Sequence, residues 1–413
     1  MADVLAYAEG CFTGSPGDQV GVELEFLVHD VTDPALTVPI ARTTGALGGL
    51  TLPGGSVITY EPGGQVELSA PPGSLPSAVA ALRQDVDRVR SALAAAGLTL
   101  GRSGLDGHRR PLRQLHTPRY DAMAACLGEP YGALMMCSTA SIQVNLDFGA
   151  DPFARWRRAH LFGPALVAAF ANSPGPVPWF GSWLSGRQAV WLALDPSRTA
   201  PVGPGHLMDS GHSCVVCDGS GEGVVRTTEG PSGDRRRGHP PTDWADYLQA
   251  AKLMLVHETD GSCRQTAQGH RFRDFDQVAG RAPTHDDLAY HATTLFPPVR
   301  PRGFMEIRYL DALGPVAWPV AVAVAYALIV DDEAAGAAAA DALAVAGQWS
   351  EAARCGLAAP AFRQAALTAF RAAADALPRW GAPPSLIDQV TDYAVRFVEP
   401  GRSPAADLLL ETR

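Results

Sequence analysis

Gly21-Val22-Glu23-Leu24-Glu25-Phe26-Leu27-Val28 is the stretch on which the fold turns. In an extended strand successive side chains alternate sides, so Val22, Leu24, Phe26 and Val28 share one face and Glu23 and Glu25 the other. Such a strand can bury its apolar side in a core and aim two carboxylates at one point. By itself the stretch reads as an amphipathic strand with a solvated acidic side. Three later segments change that reading, because each also sets polar, ligand-type side chains on one face of a strand.

The first is a hairpin. Val57-Ile58-Thr59-Tyr60-Glu61 and Val66-Glu67-Leu68 flank the turn residues Pro62-Gly63-Gly64-Gln65. A three-residue loop at Gly63-Gly64-Gln65 puts Glu61 directly opposite Glu67 on one face; a two-residue loop sends them to opposite faces. The three-residue loop is the expectation. The second segment, residues 139–148, alternates Ile142, Val144, Leu146 and Phe148 with Thr139, Ser141, Gln143, Asn145 and Asp147. Its polar side carries short oxygen- and amide-bearing groups, which suit a lined cavity better than open water. The third, Phe304-Met305-Glu306-Ile307-Arg308-Tyr309, places Glu306 and Arg308 on one face.

Around these strands the helical spacings predict helices over residues 74–96, 152–172, 242–256 and 284–296. In the fourth, Thr284 and Asp287 form a capping-box pair. Residues 173–200 read as irregular and aromatic-rich, with Trp179, Trp183, Arg187 and Trp191. The Gly/Ser/Pro-rich stretch 201–241 reads as a flexible insertion. Strands dominate the first third and the Ala-rich C-terminal hundred residues read as helix, so the fold class is α+β around an antiparallel sheet. The domain reading is a catalytic α+β domain over 1–312, with a helical C-terminal region, 313–413, packed on it.

Composition narrows the function. The 413 residues are 46% hydrophobic and 18% charged, as in a globular protein, with a net charge of −10. Basic residues form no long cluster, which argues against nucleic-acid binding, and an anionic substrate needs local positive charge. The apolar run 313–330 contains Pro315 and Pro319 and ends at Asp331-Asp332-Glu333, so it reads as a buried helix and not a membrane span. No basic-then-apolar leader opens the chain, and seven scattered cysteines do not resemble a secreted disulfide framework; the cytoplasm is the expected location. His206, His212, Cys214 and Cys217 have zinc-ligand chemistry, but a single Cys-x-x-Cys in such a loop is usually incidental.

If Glu23, Glu25, Glu61, Glu67 and Glu306 face one cavity, their charges must be offset. Two carboxylates 4 Å apart repel by about 4 kcal/mol at an effective dielectric of 20. Protons or cations must relieve this, and all-oxygen donors favour Mg²⁺ or Mn²⁺ over zinc. Mg²⁺ so held typically completes its shell with phosphate oxygens, so carboxylates beside an arginine suit phosphoryl transfer.

Gly21-Val-Glu-Leu-Glu25, Glu61-Pro-Gly-Gly-Gln-Val-Glu67, Ser138-Thr-Ala-Ser-Ile-Gln143-Val-Asn145 and Thr293-Thr-Leu-Phe-Pro-Pro-Val-Arg-Pro-Arg302-Gly-Phe-Met-Glu306-Ile-Arg308, in this order, resemble the glutamate–cysteine ligases. Within them the likeness is to the actinobacterial, ergothioneine-pathway type. The resemblance implies a glutamine-synthetase-like fold, an antiparallel funnel lined by carboxylates and covered by helices. It implies that ATP phosphorylates the γ-carboxylate of L-glutamate and that the amine of L-cysteine displaces the phosphate. By motif position Glu23, Glu25, Glu61, Glu67 and Glu306 would hold Mg²⁺ (or Mn²⁺), with Gln143 where relatives carry histidine. Arg308, beside Glu306, would stabilise the transferred phosphoryl group; Arg187 would pair with the substrate carboxylate. Asn145 is a further substrate contact, and Arg119 and Tyr120 would line the cysteine pocket. Two other readings stand beside this one: a carboxylate–amine ligase with another amine acceptor, and a non-catalytic metal-binding protein.

Overall fold

The computed structural model describes residues 3–14, 17–177, 181–203, 238–258, 262–266 and 269–411. Most of the 201–241 insertion, including His206, His212, Cys214 and Cys217, and also Trp179, lies outside them. The strands that build the site are β1 (Val20–Phe26), β2 (Val57–Tyr60), β3 (Val66–Ser69), β4 (Ser141–Leu146), β5 (Val299–Pro301) and β6 (Met305–Asp311). They form one antiparallel sheet in the order β5-β6-β4-β1-β3-β2. The central strand is the one quoted first, and its neighbours come from segments over forty and over a hundred residues away in sequence.

Alternation does the sorting. Val20, Val22, Leu24 and Phe26 of β1 are buried, as are Ile142, Val144 and Leu146 of β4. This back face is covered by α2 (Leu75–Ala95), α4 (Pro152–Phe170) and α8 (Gly314–Val330), all part of one continuous apolar core. The α2 stripe Leu75, Val79, Leu82, Val86, Val89 and Leu93 is fully buried, as the 3-4 spacing requires. The front face stays open, walled by α1 (Val4–Phe12), α3 (Pro118–Leu127), α5 (Gly186–Leu192), α6 (Pro240–Ala250) and α7 (His285–Ala292).

From Trp318 to Val330 every residue of α8 is buried. A helix apolar on all sides belongs inside a core. No single helix among the described residues is long and apolar enough to cross a membrane. Beyond it, α9 (Asp332–Leu343), α10 (Pro360–Ala376) and α11 (Pro384–Tyr393) pack against α8 and against one another. Asp331 makes the corner between α8 and α9. It accepts from Ala334 N at 2.8 Å, from Trp380 Nε1 at 3.0 Å and from Arg379 at 2.6 Å. Arg379 is half exposed, so the cap and the indole bond carry most of the stabilisation. Asp331→Ala is expected to cost about 2 kcal/mol in urea unfolding. Glu333→Ala, at an exposed site next door, is expected to stay within about 0.5 kcal/mol.

Three predicted elements differ. The helix expected over 242–256 begins at Pro240, where two prolines preset the first turn, and ends at Ala250; Leu255–His257 is instead a strand paired with Cys263–Gln265. The α7 helix stops at Ala292, before Phe296 and the two prolines that follow it. The stretch expected to be irregular holds α5, on which Arg187 is carried.

Candidate active site

Strand register assembles the front face. Glu25 lies opposite Glu67 on β3, and Glu23 lies between Ser69 on β3 and Gln143 on β4. Glu306 on β6 lies between Asn145 on β4 and Arg300 on β5. Directly paired residues project to the same side, so these side chains share one field. The pairing of β6 with β4 slips between Ile307 and Leu310, and Arg308 sits in that irregularity.

The hairpin register differs in detail from the expectation. Thr59 pairs with Glu67 and Tyr60 with Val66, and Glu61 N donates to Gln65 O at 2.9 Å. The three-residue loop is therefore Pro62-Gly63-Gly64, with Glu61 opposite Gln65 and diagonal to Glu67. Relative to the expected pairing this is a slip of two residues, which keeps Glu61 on the same face. Two contacts explain the loop. Gly64 has φ +91°, and a Cβ on Gly63 would lie 2.3 Å from Cys137 O. Gln114 N and Leu115 N both donate to Pro62 O, at 2.7 and 3.1 Å, strapping the tip in place.

The result is a cavity of about 230 Å³ lined by Glu23, Glu25, Glu61, Glu67 and Glu306 and by Arg300, Arg302 and Arg308. The charges are segregated. Arg300 grips Glu306 with a fork, Nε at 2.6 Å and Nη2 at 3.0 Å, and Arg302 and Arg308 approach it at 3.1 and 3.2 Å. Burial opposes ionisation of Glu306, but the three guanidiniums outweigh it and hold the carboxyl well below the usual range. On the other side no cation intervenes between Glu25, Glu61 and Glu67. Burial, then the Glu67 charge, pushes Glu25 up to about 7. Burial, then Glu25 and Glu67, pushes Glu61 up to about 8. Burial and the Glu306 charge also raise Glu23.

The donor set on the acidic side fits a hard divalent cation, since it is all oxygen and burial with mutual repulsion outweighs what Arg308 offsets. The buried Asn145 Oδ1, next to Glu23, has no hydrogen-bond partner. Among the described residues, no three His, Cys, Asp or Glu side chains converge as a ready ligand shell. The hydrogen bonds say why. Glu23 accepts from Asn145 at 2.9 Å, Glu25 from Gln143 Nε2 and Ser141 N, both at 2.9 Å, and Glu67 from Thr59 at 2.8 Å.

A sequence profile of glutamate-cysteine ligase family 2 (GCS2) matches residues 19–410. The chain belongs to this family. Among its relatives, the glutamate–cysteine ligase EgtA of Mycobacterium tuberculosis H37Rv is 39% identical over 97% of this chain and 87% of its own. EgtA of Mycolicibacterium smegmatis is 39% identical over 95% of this chain and 86% of its own. A solved bifunctional glutathione synthetase from Pasteurella multocida superposes with a TM-score of 0.48 at 12% identity, covering 100% of this chain and 51% of that one.

The family's members of the site do not all stand as the sequence suggests. Glu23, Glu25, Glu61, Glu67, Gln143, Arg119 and Tyr120 line the cavity together. Gln143, however, spends its oxygen on Arg308, and its amide on Glu25, so a metal ion has no free donor there as it stands. Glu306 likewise has both oxygens on arginines. Asn145 sits under Glu23 and orients it, away from the cavity lining. Arg187 lies outside the carboxylate cavity, in an adjoining recess with Trp191 and Phe296 that shares Arg308 with it. It is buried and donates Nη2 to Arg308 O at 2.8 Å, while Nε and Nη1 have no hydrogen-bond partner. Asp311, 3.8 Å from Nη1, is held in turn by Ser173 and Ser185 at 2.7 and 2.9 Å.

Arg300, Arg302 and the methionines Met123, Met135 and Met136 also line the cavity, and the residue pattern alone does not single them out. The signal for Arg300 is its spacing two residues from Arg302 in a short extended run, but only the pairing of β5 with β6 shows that it meets Glu306.

Proposed function

We propose that this protein is an ATP-dependent glutamate–cysteine ligase that forms γ-glutamylcysteine through a γ-glutamyl phosphate and feeds ergothioneine synthesis in the cytoplasm. The observation that carries it is the cavity itself, in which Glu23, Glu25, Glu61 and Glu67 make no ion pair among the described residues while three arginines gather around Glu306. Such a cavity supplies cation ligands on one side and phosphate ligands on the other, as transfer of a phosphoryl group requires. Membership of the family and the 39% identity to EgtA support the choice of substrates. We assign catalysis to 1–312 and mechanical support of the sheet to 313–413.

Glu23, Glu25, Glu61 and Glu67 would hold Mg²⁺ (or Mn²⁺), which when bound neutralises charge on the phosphates. Glu306 and Gln143 join that set only as a phosphate draws Arg300 and Arg308 away from them, since guanidiniums bind phosphate and carboxylate through the same fork. Arg187, with two guanidinium nitrogens, Nε and Nη1, that have no hydrogen-bond partner, is suited to the carboxylate of the substrate glutamate. Arg308 lies where that recess meets the carboxylate cavity, and so beside the γ-carboxylate that is phosphorylated. Arg119, fixed by Thr293 at 2.8 Å and stacked on Tyr290, stands with Tyr120 and the methionines where a cysteine would approach, its carboxylate to the arginine and its thiol to the thioethers. The amine of cysteine then attacks the acyl carbon to form the C–N bond, phosphate leaves with the electron pair of the broken C–O bond, and the proton lost by the nitrogen goes to the departing phosphate or to water.

The mass of the product made from ATP, L-glutamate and L-cysteine tests the reading. γ-Glutamylcysteine with equimolar ADP is expected, and a product of equal yield with other amines in place of cysteine would transfer the assignment to a broader carboxylate–amine ligase. Binding of Mg²⁺ without nucleotide turnover would indicate the non-catalytic alternative.

The raised carboxyls give a pH dependence with a definite sign. A carboxyl whose folded pKa lies above its unfolded value favours the folded chain at low pH, and the advantage fades as pH rises through the folded pKa. For Glu25 and Glu61 this window runs from about 4.5 to about 8. In EDTA the site should therefore destabilise the protein progressively toward pH 8, and Mg²⁺ should restore it while displacing protons. Thermal melts with and without Mg²⁺ are expected to show a larger Mg²⁺ shift at pH 8 than at pH 6; an equal shift would contradict the ligand set.

A further inference from the structure

The slip in the pairing of β6 with β4 reaches beyond Arg308. Ile307 pairs with Val144 and Leu310 with Ile142, so Arg308 and Tyr309 both stand opposite Gln143. A bulge of this kind leaves backbone groups outside the ladder. The start of α5 takes two of them: Arg187 Nη2 donates to Arg308 O at 2.8 Å and Gln188 Nε2 to Tyr309 O at 2.9 Å. The first turn of α5 thus rides on the strand that carries Glu306 and Arg308.

Asp311, at the end of the same strand, completes the joint. It is buried, and it accepts from Asn172 N at 2.9 Å, Ser173 Oγ at 2.7 Å and Ser185 Oγ at 2.9 Å. Those two serines accept in turn from the start of α5, Ser173 Oγ from Arg187 N at 3.1 Å and Ser185 Oγ from Gln188 N at 3.3 Å. An amide would satisfy two hydroxyls and a backbone N–H as well as a carboxylate does. The charge of Asp311 has another use, because its ion-pair partner is Arg187, with Oδ1 3.8 Å from Nη1. That is near enough to attract and too far for a hydrogen bond. Three donors already occupy the carboxylate, so its charge holds Arg187 while Nε and Nη1 stay without a partner. Trp191 fixes the plane from another side, its ring centre 5.8 Å from the guanidinium carbon. Glu25, on the acidic side of the cavity, pulls on Arg187 as well.

We propose that Asp311 is a positioning residue, whose charge keeps the Arg187 fork from turning to Glu25 and leaves it open to the carboxylate of the substrate, at a fixed spacing from Arg308. The identity of that substrate rests on the ligase reading above. The joint between Asp311, α5 and β6 rests on the geometry alone.

Asp311→Asn removes the charge and keeps the shape. The amide oxygen takes the place of Oδ2, and the amide nitrogen donates to Ser185 Oγ, whose hydroxyl turns to suit. The KM for glutamate is expected to rise about tenfold, with kcat and the KM values for ATP and cysteine within about twofold of wild type. In an Arg187→Gln background the same substitution should change the glutamate KM by less than about twofold, since its target is gone. Ser185→Ala makes the converse change with the charge intact, and it decides the matter if Asp311→Asn does not fold. The freed Oδ1 can then capture Nη1, and the glutamate KM should rise there too. A readout without turnover is the NMR signal of the Arg187 Nε–H, identified by its loss in Arg187→Gln. In Asp311→Asn it should shift and exchange with water about tenfold faster or more. A glutamate KM unchanged in both variants would overturn the proposal, as would a parallel rise in all three KM values or an equal effect with Arg187 already replaced. A wild type that makes no γ-glutamylcysteine but whose Arg187 signal depends on Asp311 would refute the ligase reading and leave the positioning role standing.

Discussion

Arg308→Ala is expected to lower kcat for γ-glutamylcysteine formation by about 10²–10³-fold, the usual loss when a preorganised donor to a developing charge is removed. The guanidinium is half-buried between Glu306 and Gln143 and lies 6.0 Å from the centre of the Phe296 ring, so it is aimed before substrate arrives. Burial works against its charge, yet Glu306, Glu25 and Glu23 together hold its pKa above the ordinary arginine value. It therefore stays cationic in any working buffer. Arg308→Lys keeps the charge but loses the planar fork, and should recover only part of the rate. Because Arg300 alone still satisfies Glu306 with two bonds, the alanine variant should fold, and its melting temperature serves as the control. A kcat within a few-fold of wild type would remove Arg308 from the catalytic role.

Glu25→Gln should separate stability from activity more sharply. Glu25 faces Glu67 directly and is the carboxyl on which the acidic side converges. With it neutralised, ADP release in the presence of both amino acids is expected to fall about a hundredfold, with a higher Mg²⁺ concentration needed for what remains. The same substitution removes a charge that the folded protein holds at a disadvantage. In EDTA at pH 8 the variant should thus melt higher than wild type, and at pH 5, where the carboxyl is protonated in any case, the two should melt alike. Activity that survives together with an unchanged Mg²⁺ requirement would defeat the metal assignment.

The two substitutions probe parts of the site that were unequally visible in the residues. Glu23, Glu25 and Glu67 follow from alternation, because the apolar partners on each strand fix which side the carboxylates take. Glu61 tolerated a wrong pairing, since a slip of two residues changes the neighbour and not the face. Arg300 is another matter. It is an arginine followed by a proline, and nothing local says that it is buried, forked onto Glu306 and part of a charge cluster; that depends on which strands pair across the sheet. Arg187 was recognisable by resemblance, but the helix that presents it and the recess it faces were not, because seven residues carry too little periodicity to show against an aromatic-rich background. The occupation of Gln143 and Glu306 by arginines is likewise a property of three-dimensional charge balance.

The burial of α8 from Trp318 to Val330 has a consequence for how the chain is made. Strand β1 pairs with β4 more than a hundred residues on, and β4 with β6 more than a hundred and fifty beyond that, so the sheet cannot close early in synthesis. Even once β6 has emerged, with α2 and α4 already made, the sheet lacks the third part of its cover until the residues up to Val330 follow. A nascent chain at that stage carries every side chain of the cavity together with the apolar surface that α8 would cover, the kind of surface that recruits chaperones or aggregates. Ribosomes halted between Asp311 and Val330 should therefore yield insoluble protein, not a weakened enzyme.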